Sequence, residues 1–142
     1  MKAVIISRMV VSLITSIIFS IIASIIVMNT SYGFISYFIA FLIYGTPPIL
    51  IIGLPYSLLI EVLLTRFKIK NKLLHLIRLI FLYAGGGFAG ALLYIYILAA
   101  GDPRKYKDLL PLSIFGVLAA LLYLIIIYSF NKLSRVLSSA RK

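Results

Sequence analysis

The sequence predicts an all-α, polytopic integral membrane protein, built as a bundle of four transmembrane helices. Of its 142 residues, 63% are hydrophobic and only 12% are charged, whereas soluble domains carry about 25% charged residues. The apolar residues also fall into four long runs, and a helix needs about 20 apolar residues to cross a bilayer. We therefore expect a single membrane domain over residues 1–142.

The four predicted spans cover residues 9–28, 34–64, 73–100 and 111–131, followed by a basic amphipathic tail at 132–142. The first run resembles a signal peptide, because Lys2 and Arg8 precede it. It is, however, too long for one, and no small-residue cleavage site follows it. We therefore predict that this run is a retained first span.

The second run is too long for one upright helix, and it contains Pro47, Pro48 and Pro55. Proline lacks the backbone N–H and clashes with the preceding turn, so it kinks or breaks a helix. The run is therefore either one kinked helix or two half-helices. We expect a single kinked crossing, because the basic residues at its flanks require an odd number of crossings. The three prolines are candidate functional positions.

The basic residues predict the orientation in the membrane. Eleven of the 14 lie in the N-terminal segment, the stretch from residue 66 to residue 78 and the tail, and only Arg104, Lys105 and Lys107 lie on the other side. Lys and Arg near span ends favour the cytoplasmic side. We therefore predict a multi-pass protein of the plasma membrane with both termini in the cytoplasm, whose tail binds anionic lipid headgroups.

Small residues recur at helical spacing in three spans. Members of the pattern are Ser12, Ser16, Ser20 and Ser24, then Gly86 with Gly90, Gly87 with Ala91, and Gly116 with Ala120. Such spacing lets helices approach closely, so we predict packing faces. The serines are alternatively a polar stripe lining a water or substrate path. The three consecutive glycines are alternatively a hinge or an unwound segment.

Glu61 is the one acidic residue inside an apolar run. It precedes Arg66 by five residues, which is about 7 Å along a helix, so it lies near the cytoplasmic interface. We expect a structural ion pair with a base such as Arg66 or Arg78. The alternative is a carboxylate that couples protons or cations, with His75 as a titratable neighbour. Glu61, His75 and Arg78 are therefore candidate functional residues.

The residues needed for several other chemistries are missing from the sequence. It has no Cys and one His, and its two other acids lie in the loop on the far side. We therefore expect no catalytic residues, no metal site and no cofactor, and we do not expect an enzyme. The basic segments are short and lack interleaved aromatic residues, so nucleic acid is not an expected partner.

The second span carries a family resemblance. Its residues Tyr44-Gly45-Thr46-Pro47-Pro48 and Gly53-Leu54-Pro55-Tyr56-Ser57-Leu58-Leu59 resemble the YGTP…GLPxSLL core of small membrane proteins of bacilli, grouped as uncharacterised protein family 0715. The length and number of spans are similar over the rest of the chain. This resemblance implies a membrane location.

Two function hypotheses follow from the sequence. The first is a non-enzymatic accessory or interaction protein, for example one that gives immunity to a membrane-active toxin or modulates a membrane partner. The alternative is a small oligomeric transporter or permease that uses the Gly/Pro-broken second span and Glu61, since transporters place substrate sites at broken helices. A second copy of the chain or another membrane protein is the expected protein partner.

Overall fold

The computed structural model describes residues 2–27, 33–66, 72–100 and 102–139, and the regular structure within these ranges is entirely helical. The elements are α1 (Lys2–Val27), α2 (Gly33–Pro48), a π-helical segment (Ile49–Gly53), α3 (Leu54–Arg66), α4 (Lys72–Leu98), α5 (Pro103–Leu109), a 3-10 turn (Leu110–Leu112) and α6 (Ser113–Ser139). The all-α fold class is confirmed for this part of the chain.

Four stretches among the described residues are long and apolar enough to cross a membrane. Spans one to four are Ile5–Val27, Gly33–Leu64, Leu73–Leu98 and Leu110–Lys132. Span one begins before the predicted boundary at residue 9 and so includes Arg8. The backbone of the predicted tail continues α6 to Ser139, but the side chains from residue 133 onward lie outside the described part, as do residues 67–71.

Span two is one continuous helical segment rather than two half-helices. Pro47 and Pro48 have no N–H to donate, so two carbonyls of the preceding turn lose their usual partners. Directly after the prolines the helix widens into the π-helical segment, whose hydrogen bonds connect residues five apart, and it then resumes as α3. The Thr46 hydroxyl donates to the carbonyl of Leu42 at 2.5 Å. The carbonyls that lose their partners are those of Ile43 and Tyr44, so this hydroxyl bonds to the carbonyl just before them.

The helices form two closely packed pairs. The most extensive contacts join α4 to α6 and α1 to α2, and α1 also packs along α6. Spans two and three contact each other much less. The order around the bundle is therefore span two, span one, span four and span three, and the loosest side lies between spans two and three.

Glycines allow the close approach of α4 and α6. A Cβ atom on Gly87 would clash with the carbonyl oxygen of Gly116, and one on Gly116 would clash with Ala91. The neighbouring face of α4 packs toward span two: a Cβ on Gly86 would overlap the ring of Tyr56, and one on Gly90 would lie 3.0 Å from Ile52. The helix remains α-helical through all these glycines. The predicted packing residues thus serve two different faces of α4.

The serine stripe lies in the interior of the bundle. Ser12, Ser16, Ser20 and Ser24 are all 0–1% exposed. Each hydroxyl donates to the backbone carbonyl four residues earlier on its own helix. Because the hydroxyls are satisfied within α1, this arrangement favours helix packing over a polar path.

Candidate functional site

An ion pair links span one to span two near the end of the bundle that holds the N-terminus. A guanidinium nitrogen of Arg8 donates to Oε2 of Glu61 at 2.6 Å. The two side chains differ greatly in exposure, at 9% for Arg8 and 54% for Glu61. The expected partners were Arg66, whose side chain lies outside the described part of the structure, and Arg78; the pair seen in the structure is with Arg8. Arg8 and Glu61 are 53 positions apart in the sequence, and the packing of α1 against α3 brings their side chains together.

The ion pair extends into a network that includes all four spans. The hydroxyls of Ser57 and Tyr123 are hydrogen-bonded at 3.1 Å, and the ring of Tyr83 stacks on that of Tyr123 with centroids 6.1 Å apart. The guanidinium of Arg8 lies close to both tyrosines. We call Arg8, Ser57, Glu61, Tyr83 and Tyr123 the polar network. Burying a guanidinium is costly unless several groups compensate it, and this network supplies them.

A pocket of about 340 Å³ opens beside the polar network. Its polar side chains belong to Arg8, Ser57, Glu61, His75, Tyr83, Tyr128 and Asn131, and we call it the polar pocket. The structure therefore brings His75 to the same pocket as Glu61. Arg78 lies three residues further along α4, half-buried, and does not line this pocket.

A larger apolar cavity of about 440 Å³ lies on the other side of the network. Its walls come mainly from spans two, three and four, on the loosely packed side of the bundle, and Pro48 and the small residues of α4 contribute to them. Pro47 and Pro55 do not line it. Six tyrosines do: Tyr37, Tyr44, Tyr56, Tyr83, Tyr94 and Tyr123. Because Tyr83 lines both spaces, the apolar cavity and the polar pocket adjoin at the polar network.

Where the structure describes side chains, no three His, Asp or Glu residues come together. The chemistry available at the site is therefore that of one half-exposed carboxylate, one buried guanidinium, an imidazole and several hydroxyl groups.

Sequence reasoning missed Arg8 as a site residue and treated it as a flanking charge. A signal was available, because Arg8 continues the four-residue spacing of the serine stripe toward the N-terminus and Ser12 donates to its carbonyl. A base on the packing face of a span points inward and needs a partner. Tyr83 and Tyr123 carried no comparable signal, since their meeting depends on how α4 and α6 cross.

Comparison of the chain with protein-family models, with curated proteins and with solved structures finds no match. The resemblance of the second span to protein family 0715 therefore stays a prediction. The functional argument depends on the geometry of the site.

Proposed function

We propose that this chain is a small membrane transporter or permease that carries a lipophilic molecule. One observation carries the proposal: a cavity large enough for a small ligand adjoins a polar pocket, with an ion pair from two spans at the boundary. Ligand sites have volumes of about 300–1,000 Å³ and are mostly apolar with a few placed polar groups. Ionisable residues within membrane spans typically mark such pathways.

The proposal includes an orientation, in the plasma membrane with both termini cytoplasmic. The polar pocket takes Arg8 from the start of span one, Glu61 from the end of span two, His75 from the start of span three and Asn131 from the end of span four. All four positions belong to one end of the bundle. The concentration of basic residues on that side supports the cytoplasm as the compartment that the pocket faces.

The proposed route begins in the bilayer. A lipophilic molecule enters between spans two and three, where the bundle is least tightly packed, and occupies the apolar cavity. Release toward the cytoplasm requires the polar network to open. The π-helical segment supports this step, since such segments frequently occur at functional sites and Ile49 and Gly53 at its two ends line the cavity.

Flux measurements in proteoliposomes test the proposal. The purified full chain is reconstituted, and three lipophilic dyes that carry positive, zero and negative charge are followed across the membrane. We expect faster flux of at least one dye than in protein-free vesicles. Ala40→Phe, which fills the apolar cavity, should return that flux to the protein-free level.

Ala89→Phe is the matched control, because Ala89 is exposed on α4 and lines neither space. It should leave the flux unchanged. Wild-type protein that moves none of the three dyes contradicts the transporter and favours the accessory or interaction role.

A further inference from the structure

We propose that the ligand of this site is a lipophilic cation, whose charge is received by Glu61 and whose apolar body lies among the cavity tyrosines. This inference rests on the proposed function, because it names the substrate class of the same site. Three features of the site support it: the charge that the polar pocket exposes, the tyrosine-rich wall of the apolar cavity, and the adjacency of these two spaces.

The accessible charge in the polar pocket is negative. The side chain of Arg8 is only 9% exposed, whereas that of Glu61 is 54% exposed. The bond from Arg8 goes to Oε2 of Glu61, and about half of the Glu61 side chain stays accessible from the polar pocket. An anion would have to reach the buried guanidinium past a carboxylate that repels it. A cation meets the exposed carboxylate first.

The wall of the apolar cavity is unusually rich in tyrosine. Six of the ten tyrosines in the sequence line this one space, and its described lining contains no charged side chain. Aromatic faces carry negative electrostatic potential and attract cations, most strongly where water is excluded. Such a wall accepts both the hydrocarbon body of a ligand and a positive charge spread over it.

The tyrosine-rich apolar cavity and the pocket with Glu61 adjoin, and this favours a single amphipathic ligand that occupies both. Tyr83 lines the apolar cavity and the polar pocket, and its ring packs on Tyr123 beside the Arg8–Glu61 pair. A molecule in the apolar cavity thus lies beside the pocket that Glu61 lines. A neutral lipophilic ligand carries no charge for Glu61 to bind. The effect of removing this carboxylate on affinity therefore distinguishes a cationic ligand from a neutral one.

Two ions of nearly the same shape and opposite charge test the substrate class. Binding of tetraphenylphosphonium and of tetraphenylborate to the purified full chain in detergent is measured by titration calorimetry. We expect tetraphenylphosphonium to bind at least about tenfold more tightly. Glu61→Gln should remove about tenfold of its affinity. Equal or tighter binding of tetraphenylborate overturns the inference.

A second pair of variants tests the tyrosine wall independently of the ion pair, in case Glu61→Gln fails to fold. Tyr94→Leu removes one ring of the cavity and should weaken tetraphenylphosphonium binding about threefold. Tyr96→Leu, on the same helix but 60% exposed and outside both spaces, should not change it. Equal affinities of the two variants contradict the inference.

The outcomes separate this inference from the proposed function. Flux of the neutral or anionic dye, without cation-selective binding, contradicts the cation as substrate and leaves the transporter standing. Cation-selective binding that depends on Glu61, without flux of any dye, supports the cation site and contradicts transport.

Discussion

Arg8 and Glu61 form one ion pair but lie in unequal surroundings, so their loss should have unequal consequences. Arg8 is buried in the bundle, while Glu61 is half-exposed in the polar pocket. Removing a partner from a buried ion pair leaves an uncompensated charge, and this usually destabilises a protein more than the pair itself stabilised it.

Glu61→Gln should therefore lower the free energy of unfolding by about 2–3 kcal/mol, since the buried guanidinium loses its counter-charge. Arg8→Gln should cost about 1 kcal/mol, because the remaining carboxylate is exposed enough to be hydrated. Thermal unfolding of both variants in the same detergent measures the difference.

The double variant Arg8→Gln/Glu61→Gln is the control. With both charges removed, its loss should be smaller than the sum of the two single losses. An Arg8→Gln variant that is less stable than Glu61→Gln would contradict the burial asymmetry.

At this scale the sequence identified Glu61 as the acid to examine, because an acidic side chain in an apolar run stands out by composition. It did not identify the partner. Arg66 is near Glu61 along the chain, whereas Arg8 is near it only after α1 has packed against α3.

At the scale of the helices, the glycines of α4 show how one short motif serves several neighbours. Gly85 has open space where a side chain would project, Gly86 lies under Tyr56, and Gly87 lies on the backbone of Gly116. Helix association in lipid depends on such close packing, because the bilayer removes the hydrophobic drive. Alanine substitutions at these three adjacent glycines therefore compare three different environments of one helix.

Gly87→Ala should destabilise the fold by about 1–3 kcal/mol, because the added methyl group meets a backbone oxygen that cannot move without separating α4 from α6. Gly85→Ala should be neutral or stabilising by up to about 1 kcal/mol, since alanine favours the helix and meets nothing. Unfolding in detergent compares the two. Equal effects of both substitutions would show that α4 and α6 do not cross at Gly87.

The spacing of these glycines and of the serines predicted packing faces but not their partners. Four-residue spacing places Gly86 with Gly90 and Gly87 with Ala91 on neighbouring faces of any α-helix. The face with Gly86 and Gly90 meets span two, and the face with Gly87 meets α6. This choice of partners depends on the arrangement of the whole bundle. Pro47 and Pro48 similarly predicted a kink or break in the helix, but not that it takes the form of a π-helical segment of five residues.

Cysteine labelling tests the proposed orientation of the whole molecule, with both termini in the cytoplasm. The chain contains no cysteine, so single substitutions provide clean labelling sites. Ser31→Cys, between spans one and two and outside the described residues, should react with a membrane-impermeant thiol reagent on intact cells. Ser138→Cys, near the end of α6, should react only after the membrane is permeabilised.

Labelling of both positions from outside would overturn the orientation with both termini inside. The reversed pattern would place the polar pocket on the outer face and would reverse the proposed direction of release. The number of described helices able to span a membrane would be the same in either case.

Local composition and the charge beside each span are enough to predict the all-α class, the four apolar spans and the orientation to be tested. Only the packing of the helices places Arg8 in the interior, leaves Glu61 as the accessible charge of the pair and surrounds one cavity with six tyrosines. The difference comes from distance along the chain. Apolar length and charge are local properties, whereas a site between four helices exists only after residues far apart in the sequence have packed together.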